Sequence, residues 1–172
     1  MIEIKTAINK AAKVIDPPPK TTVNRWSKKG YVSNMIEFAN YGAAGGRIGQ
    51  YPDRLPAEII TTVRLKEKYR LSQIGQARQY LADKNLLEEK AGSGSELEAE
   101  LVFKMLDYND KVAEGRKKIS QLAEQGAEPD EIQKAVRELN DQMQLHEVIE
   151  DYIREYLQAV EDLEKNSLSK AN

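Results

Sequence analysis

The sequence predicts a mainly α-helical fold: a small helical head bearing one β-hairpin, followed by long coiled-coil-like C-terminal helices. Three observations carry this. Charge is split along the chain: residues 1–82 hold 14 Lys and Arg against 6 Asp and Glu, net +8, whereas residues 83–172 hold 12 against 22, net −10. Hydrophobic content of 40% with only 6% aromatics suits helices with narrow apolar stripes better than a thick sheet sandwich. Beyond residue 95 the apolar residues recur at steps of three and four over two long stretches. A basic front half beside an acidic, periodic rear half points to a polyanion-binding head on a helical assembly stalk.

The first helical pattern runs from Ile4 to Val14, with Ile4, Ala7, Ile8, Ala11 and Ala12 on one face. It stops before Pro17, Pro18 and Pro19, whose rings remove backbone donors and restrict the preceding residue. Thr21 or Thr22 offers an N-cap oxygen for a second, short helix through Val23 and Trp26, which Gly30 is placed to end. The pair is a helix-turn-helix candidate. Tyr31 to Phe38 and Arg47 to Tyr51 favour extended structure around a Gly- and Ala-rich tip, Asn40 to Gly46, and predict a two-stranded hairpin. Helices are expected over Pro56–Tyr69, with Ile59, Ile60, Val63 and Leu65 inward, and over Leu71–Leu81.

Lys90 to Ser95, KAGSGS, reads as a linker. The expected organisation is therefore a head over residues 1–89, a linker over 90–95, a helical hairpin or coiled-coil oligomerisation region over 96–168, and a disordered tail over 169–172. The first long helix spans Glu96 to Glu124, with Gly115 on its seam, and a break at Gln125 to Pro129 precedes the second, which runs to Asn166. The second is too long for a small head to cover, so its stripe asks for the preceding helix or a second chain as partner.

The chain has no cysteine, which excludes disulfides, thiolate nucleophiles and Cys-ligated metals. Its start, MIEIKTAINK, lacks the apolar run of a signal peptide, and no stretch approaches the ~20 apolar residues of a membrane span, so a cytoplasmic location away from membranes is expected. Paired acids such as Glu88/Glu89 and Asp130/Glu131 suit exposed faces and first turns rather than acid–base chemistry. The GAAGG stretch lacks the Gly-Lys-Ser/Thr ending of a phosphate-cradling loop. The single histidine, His146, lies on the apolar stripe of the second long helix and reads as a register-setting polar position. No enzyme, cofactor or metal site is expected.

The runs TTVNRWSKKGYV and GGRIGQYPDRLPAEIITTVRLKEKYRLSQIGQARQYL resemble the winged helix-turn-helix head of the MerR family of transcriptional regulators, over about residues 4–81. Thr22, Val23, Trp26, Lys29, Gly30 and Tyr31 match its recognition-helix pattern, and Arg47 and Tyr51 its wing pattern. Asn24 stands where many members have Arg, the Pro-rich turn is longer, and the hairpin loop is extended. The resemblance implies a wing on the hairpin and distortion of bound promoter DNA. Without cysteines it does not carry metal sensing over.

Independently of the resemblance, a helix laid into a major groove needs short polar or long basic side chains on its outer face, and Thr21, Asn24, Arg25, Lys28 and Lys29 supply them; the family pattern adds Thr22 to the expected DNA-binding residues. Asn24 and Arg25 are the candidates for base readout. Lys20, Lys28 and Lys29 suit phosphates, Arg47 a backbone or minor-groove contact, and the Tyr51 hydroxyl a phosphate. Trp26 reads as a core aromatic, and Tyr108, Tyr152 and Tyr156 as packing residues. The expected function is sequence-specific double-stranded DNA binding by a homodimeric transcriptional regulator, dimerised through its C-terminal helices, with room for a protein partner on the acidic helices. The alternative is the DNA-recognition adaptor of a larger assembly of the viral DNA-packaging type. A third possibility is a coiled-coil structural protein with an incidental basic head.

Overall fold

In the computed structural model the described residues are 1–40, 47–87 and 93–168. The chain is mainly helical with one small antiparallel sheet. Strand β1 (Ile2–Glu3) runs directly into α1 (Ile4–Ala11), followed by α2 (Lys20–Lys28), β2 (Glu37–Asn40), β3 (Arg47–Tyr51), α3 (Leu55–Leu65), α4 (Leu71–Asp83), α5 (Ser93–Glu124) and α6 (Pro129–Leu168).

The sheet has three strands in the order β1-β3-β2, not two. Ile2 pairs with Tyr51 and Glu3 with Gln50, while Phe38 pairs with Gly49 and Asn40 with Arg47. A two-residue strand is too short for alternation to announce it, yet it fastens the hairpin to the N-terminus, giving an otherwise marginal ribbon a third strand. The extended stretch expected from Tyr31 begins as a strand only at Glu37. The expected tip, Asn40 to Gly46, lies outside the described residues from 41 onward.

Helix α1 ends at Ala11 rather than Val14, and α3 at Leu65, with the chain turning on to Tyr69 through its N–H on the Leu65 carbonyl (2.8 Å). Helix α3 is buried almost all round: Leu55, Ile59 and Ile60 are fully covered, as are Thr61 and Thr62. The hydroxyl of Thr61 donates to the carbonyl of Ala57, so its burial leaves no open donor.

The linker expected at 90–95 is in part helical, because α5 already includes Ser93 to Ser95; residues 90–92 lie outside the described set, as does the tail from 169. A glycine at φ +71°, Gly126, closes α5. Its N–H reaches the Ala123 carbonyl and that of Ala127 the Leu122 carbonyl, the paired bonds of a Schellman ending. Helix α6 then returns antiparallel to α5, so the long helices pair within the chain.

At 40 residues α6 is about 60 Å long, and it divides its cover. Its C-terminal half packs on α3 and α4, burying Val148, Ile149, Tyr152, Ile153, Tyr156 and Ala159 in a core continuous with Ile2, Val23, Trp26 and Leu55. Leu87, beyond α4, is buried in the same core. Farther out, Val112, Ile119, Leu122, Ile132, Leu139 and Met143 have only the facing helix and stay half-buried.

Candidate nucleic-acid interface

Helix α2 is short, and its sequence sorts cleanly into two faces. Val23, Trp26 and Ser27 are buried, Lys20, Thr21, Arg25, Lys28 and Lys29 beside its end are exposed, and Thr22 and Asn24 are half-buried. Trp26 is a core residue, as expected. The N-terminus is set by the prolines rather than by a threonine: Pro19 is the N-cap, its carbonyl accepts the N–H groups of Thr22 and Val23 at 2.9 and 3.1 Å, and no side-chain cap bond forms. Thr21 and Thr22 thus lie inside the helix. The ring fixes φ at Pro19 where the chain enters the helix. At the other end Gly30, at φ +75°, gives the second Schellman ending, Gly30 N–H to Ser27 and Tyr31 N–H to Trp26.

Among the described residues no carboxylate lies within ion-pair distance of Lys20, Arg25, Lys28 or Lys29. The other basic residues of the front half are treated differently. Arg54 and Arg78 are bound to the buried Glu58 at 3.4 and 3.1 Å. Arg64 pairs with Asp162 (2.7 Å) and Glu155, and Lys68 with Asp151 (2.8 Å) and Glu147, all on α6. The acidic rear helix therefore neutralises one side of the front half and leaves the α2 side positive.

Tyr51 is buried, not at the surface, and its hydroxyl donates to Asn24 Oδ1 at 3.3 Å. Burial raises the phenol's pKa, so it stays protonated and able to donate. This bond joins two residues that the sequence singled out separately. Among the described residues no acceptor is recorded for the Asn24 amide nitrogen, whose two hydrogens point to an outside partner on the reading proposed below. Arg47 enters β3 opposite Asn40, while its side chain lies outside the described residues. The structure thus brings Lys20, Thr21, Thr22, Asn24, Arg25, Lys28 and Lys29 onto or beside one helix and ties Tyr51 to it from the hairpin.

A buried polar cluster fixes the hairpin's base, and no pattern in the sequence marks it. Glu58, fully buried, accepts from the Ser33 N–H (2.6 Å), the Ser33 hydroxyl (3.0 Å) and Arg78 Nε (3.1 Å). Arg54 donates to Ser33 Oγ and, at 3.0 Å, to the Leu87 carbonyl. Ser33 lies between α2 and β2, so the cluster sets where the chain leaves the helix and enters the hairpin.

The chain matches no protein-family model, no curated protein and no solved structure. The described residues contain no group of three or more His, Cys, Asp or Glu placed to hold a metal ion, and no helix is long and apolar enough to cross a membrane. His146 is buried, with Nε2 against the Lys104 carbonyl and 3.5 Å from Glu150, its ring beside Tyr108. It joins α5 to α6 and stands apart from the α2 surface.

Proposed function

We propose that the chain binds double-stranded DNA through a winged helix-turn-helix head of MerR type and acts as a homodimeric transcriptional regulator. The observation that carries this reading is the α2 surface: exposed Lys20, Thr21, Arg25 and Lys28 with no carboxylate of the described residues at ion-pair distance, tied to a hairpin through Tyr51 and Asn24. Helix α2 occupies the major groove, Arg25 and Asn24 meet base edges, and Lys20, Lys28 and Lys29 meet phosphates. The hairpin serves as the wing, with Arg47 on the adjoining backbone. Dimerisation falls to the C-terminal helices, where α5 leaves Val102, Phe103 and Met105 about half exposed and the outer α5–α6 seam is half covered. The same half-covered arm favours a second reading, an adaptor in a larger ring-forming assembly of DNA-packaging type, with α6 acids left over for a protein partner.

Selection of random duplexes by the purified protein, followed by sequencing, tests the reading. An enriched two-fold-symmetric site is expected, and Arg25→Ala should relax one position per half-site, costing about 1–3 kcal/mol of discrimination there. Absence of any duplex binding would sink it. Light scattering separates the two assemblies: a dimer supports the regulator, and a ring of many copies the adaptor.

A further inference from the structure

The hairpin touches α2 where the Tyr51 hydroxyl donates to Asn24 Oδ1 at 3.3 Å. Asn24 belongs to the outward face of that helix. Its place between Thr21, Arg25 and Lys28 gathers the four on one side by helical spacing, and the other three are exposed. Tyr51 is held from behind: its strand position pairs with Ile2 and its side chain is buried, so the hydroxyl comes to Asn24 from inside the head. A buried phenol that keeps its proton needs an acceptor, and among the described residues that acceptor is the Asn24 oxygen. The bond therefore decides which way round the amide lies. Oxygen and nitrogen leave the same carbon in different directions, so an oxygen turned to Tyr51 turns the NH2 group away from it.

We propose that Tyr51 determines base specificity: by holding the oxygen of Asn24 it makes that side chain a donor, which selects guanine at the base it meets. The proposal rests on the DNA-binding reading above. An asparagine free to turn reads adenine, accepting from N6 through its oxygen and donating to N7 through its nitrogen. That pairing needs both amide atoms at the base edge, and here the oxygen already serves Tyr51. What remains for the base is an NH2 group with two hydrogens. Guanine answers it with two acceptors, N7 and O6, side by side in the major groove. Adenine offers N7 alone and sets its own N6 hydrogens against those of the amide. Cytosine shows a donor, and thymine one acceptor beside a methyl group. Tyr51 itself stays off the duplex and is a positioning residue that acts through Asn24.

Random duplexes are selected with the full-length chain and with Asn24→Ala, the two matched by circular dichroism. The position whose preference the variant loses is the one that Asn24 reads. Guanine is expected there for the wild type, over adenine by about tenfold or more in competition binding. A deazaguanine with C–H in place of N7 at that position should weaken wild-type binding about fivefold and leave Asn24→Ala as before. Tyr51→Phe keeps the ring and frees the amide to turn, so its preference for guanine over adenine should fall to about threefold or less. A merely structural role for Tyr51 would weaken both duplexes alike and leave that ratio where it was. Any base other than guanine at the position, no position that responds to Asn24→Ala, no effect of the deazaguanine on the wild type, or an unchanged ratio in Tyr51→Phe overturns the proposal while sparing the DNA reading. No duplex binding by the wild type overturns both.

Discussion

Glu58 has no access to solvent and is the acceptor on which Ser33, Arg54 and Arg78 converge, so its loss would leave two guanidinium groups facing no counter-charge. Breaking a buried pair from one side costs about 3–5 kcal/mol. Glu58→Ala should destabilise the protein by that order in urea unfolding; a change below about 1 kcal/mol would mean that solvent reaches the cluster. Nearby, the Tyr152 hydroxyl is buried with no hydrogen-bond partner among the described residues, and burial holds its pKa well up. Tyr51→Phe is the milder probe. It removes one hydrogen bond, about 1 kcal/mol, but frees the Asn24 amide to rotate, so it should blur base preference more than it lowers the melting temperature. Equal preference in the variant would separate Asn24 from readout.

At the level of elements, what could be read from the sequence was whatever repeats or punctuates locally. The stripes of α5 and α6, the break before Pro129, the helix stop at Gly30 and the inward face of α3 follow from spacing and from glycine or proline chemistry alone. The cap of α2 did not, because Pro19 takes the N-cap position without any side-chain cap bond and leaves Thr21 and Thr22 inside the helix. Strand β1 did not, since Ile2 and Glu3 become a strand only when β3 arrives from fifty residues away. Gly115 shows the limit well. On the seam it reads equally as a weak point or a close contact, and the fold decides for contact, because a Cβ there would meet three atoms of Leu139 within about 3 Å. Gly115→Leu should therefore force the hairpin apart, lowering stability by about 1–3 kcal/mol despite better helix propensity. A stabilised variant would show that the two helices have slack at this level. At Gly30 the cause is backbone alone, since nothing lies within 4 Å, and Gly30→Ala should cost about 1–2 kcal/mol through the left-handed φ.

Over the whole molecule, the long-range pairing of acidic α6 with Arg64 of α3 and with Lys68 just beyond it is where sequence and fold diverge most, because opposite net charges in two halves do not say whether they turn toward or away from each other. Here they turn toward each other on one side. Arg64 holds the Asp162 carboxyl below the usual range. Burial alone would raise Asp151, but hydrogen bonds from Lys68 and Tyr69 overcome it and leave that carboxyl low as well. Burial, with the Asp151 carboxylate beside it, pushes the Tyr69 phenol up to about 12. A depressed carboxyl contributes stability that is complete above its unfolded pKa, about 3.9, and fades as pH falls through the lower folded value. The melting temperature should hold between pH 7 and about 5 and fall in stronger acid, less steeply in Asp162→Asn. An unchanged slope in that variant would remove Asp162 from the account. The raised Tyr69 works in the opposite direction, its contribution being lost only as pH climbs from about 10 through the folded value. The inward pairing on α6 also bounds how many ions a bound polyanion can set free. With Arg54, Arg64, Lys68 and Arg78 already matched within the chain, the outward supply of the front half is the eight Lys and Arg of residues 1–51 together with Lys66 and Arg70. Counterion release by the front half then limits the slope of log affinity against log salt to about −9 per chain. On the DNA-binding reading proposed above, the acidic helix, by holding Arg64 and Lys68, limits how readily the protein lets go of a duplex when the ionic strength rises.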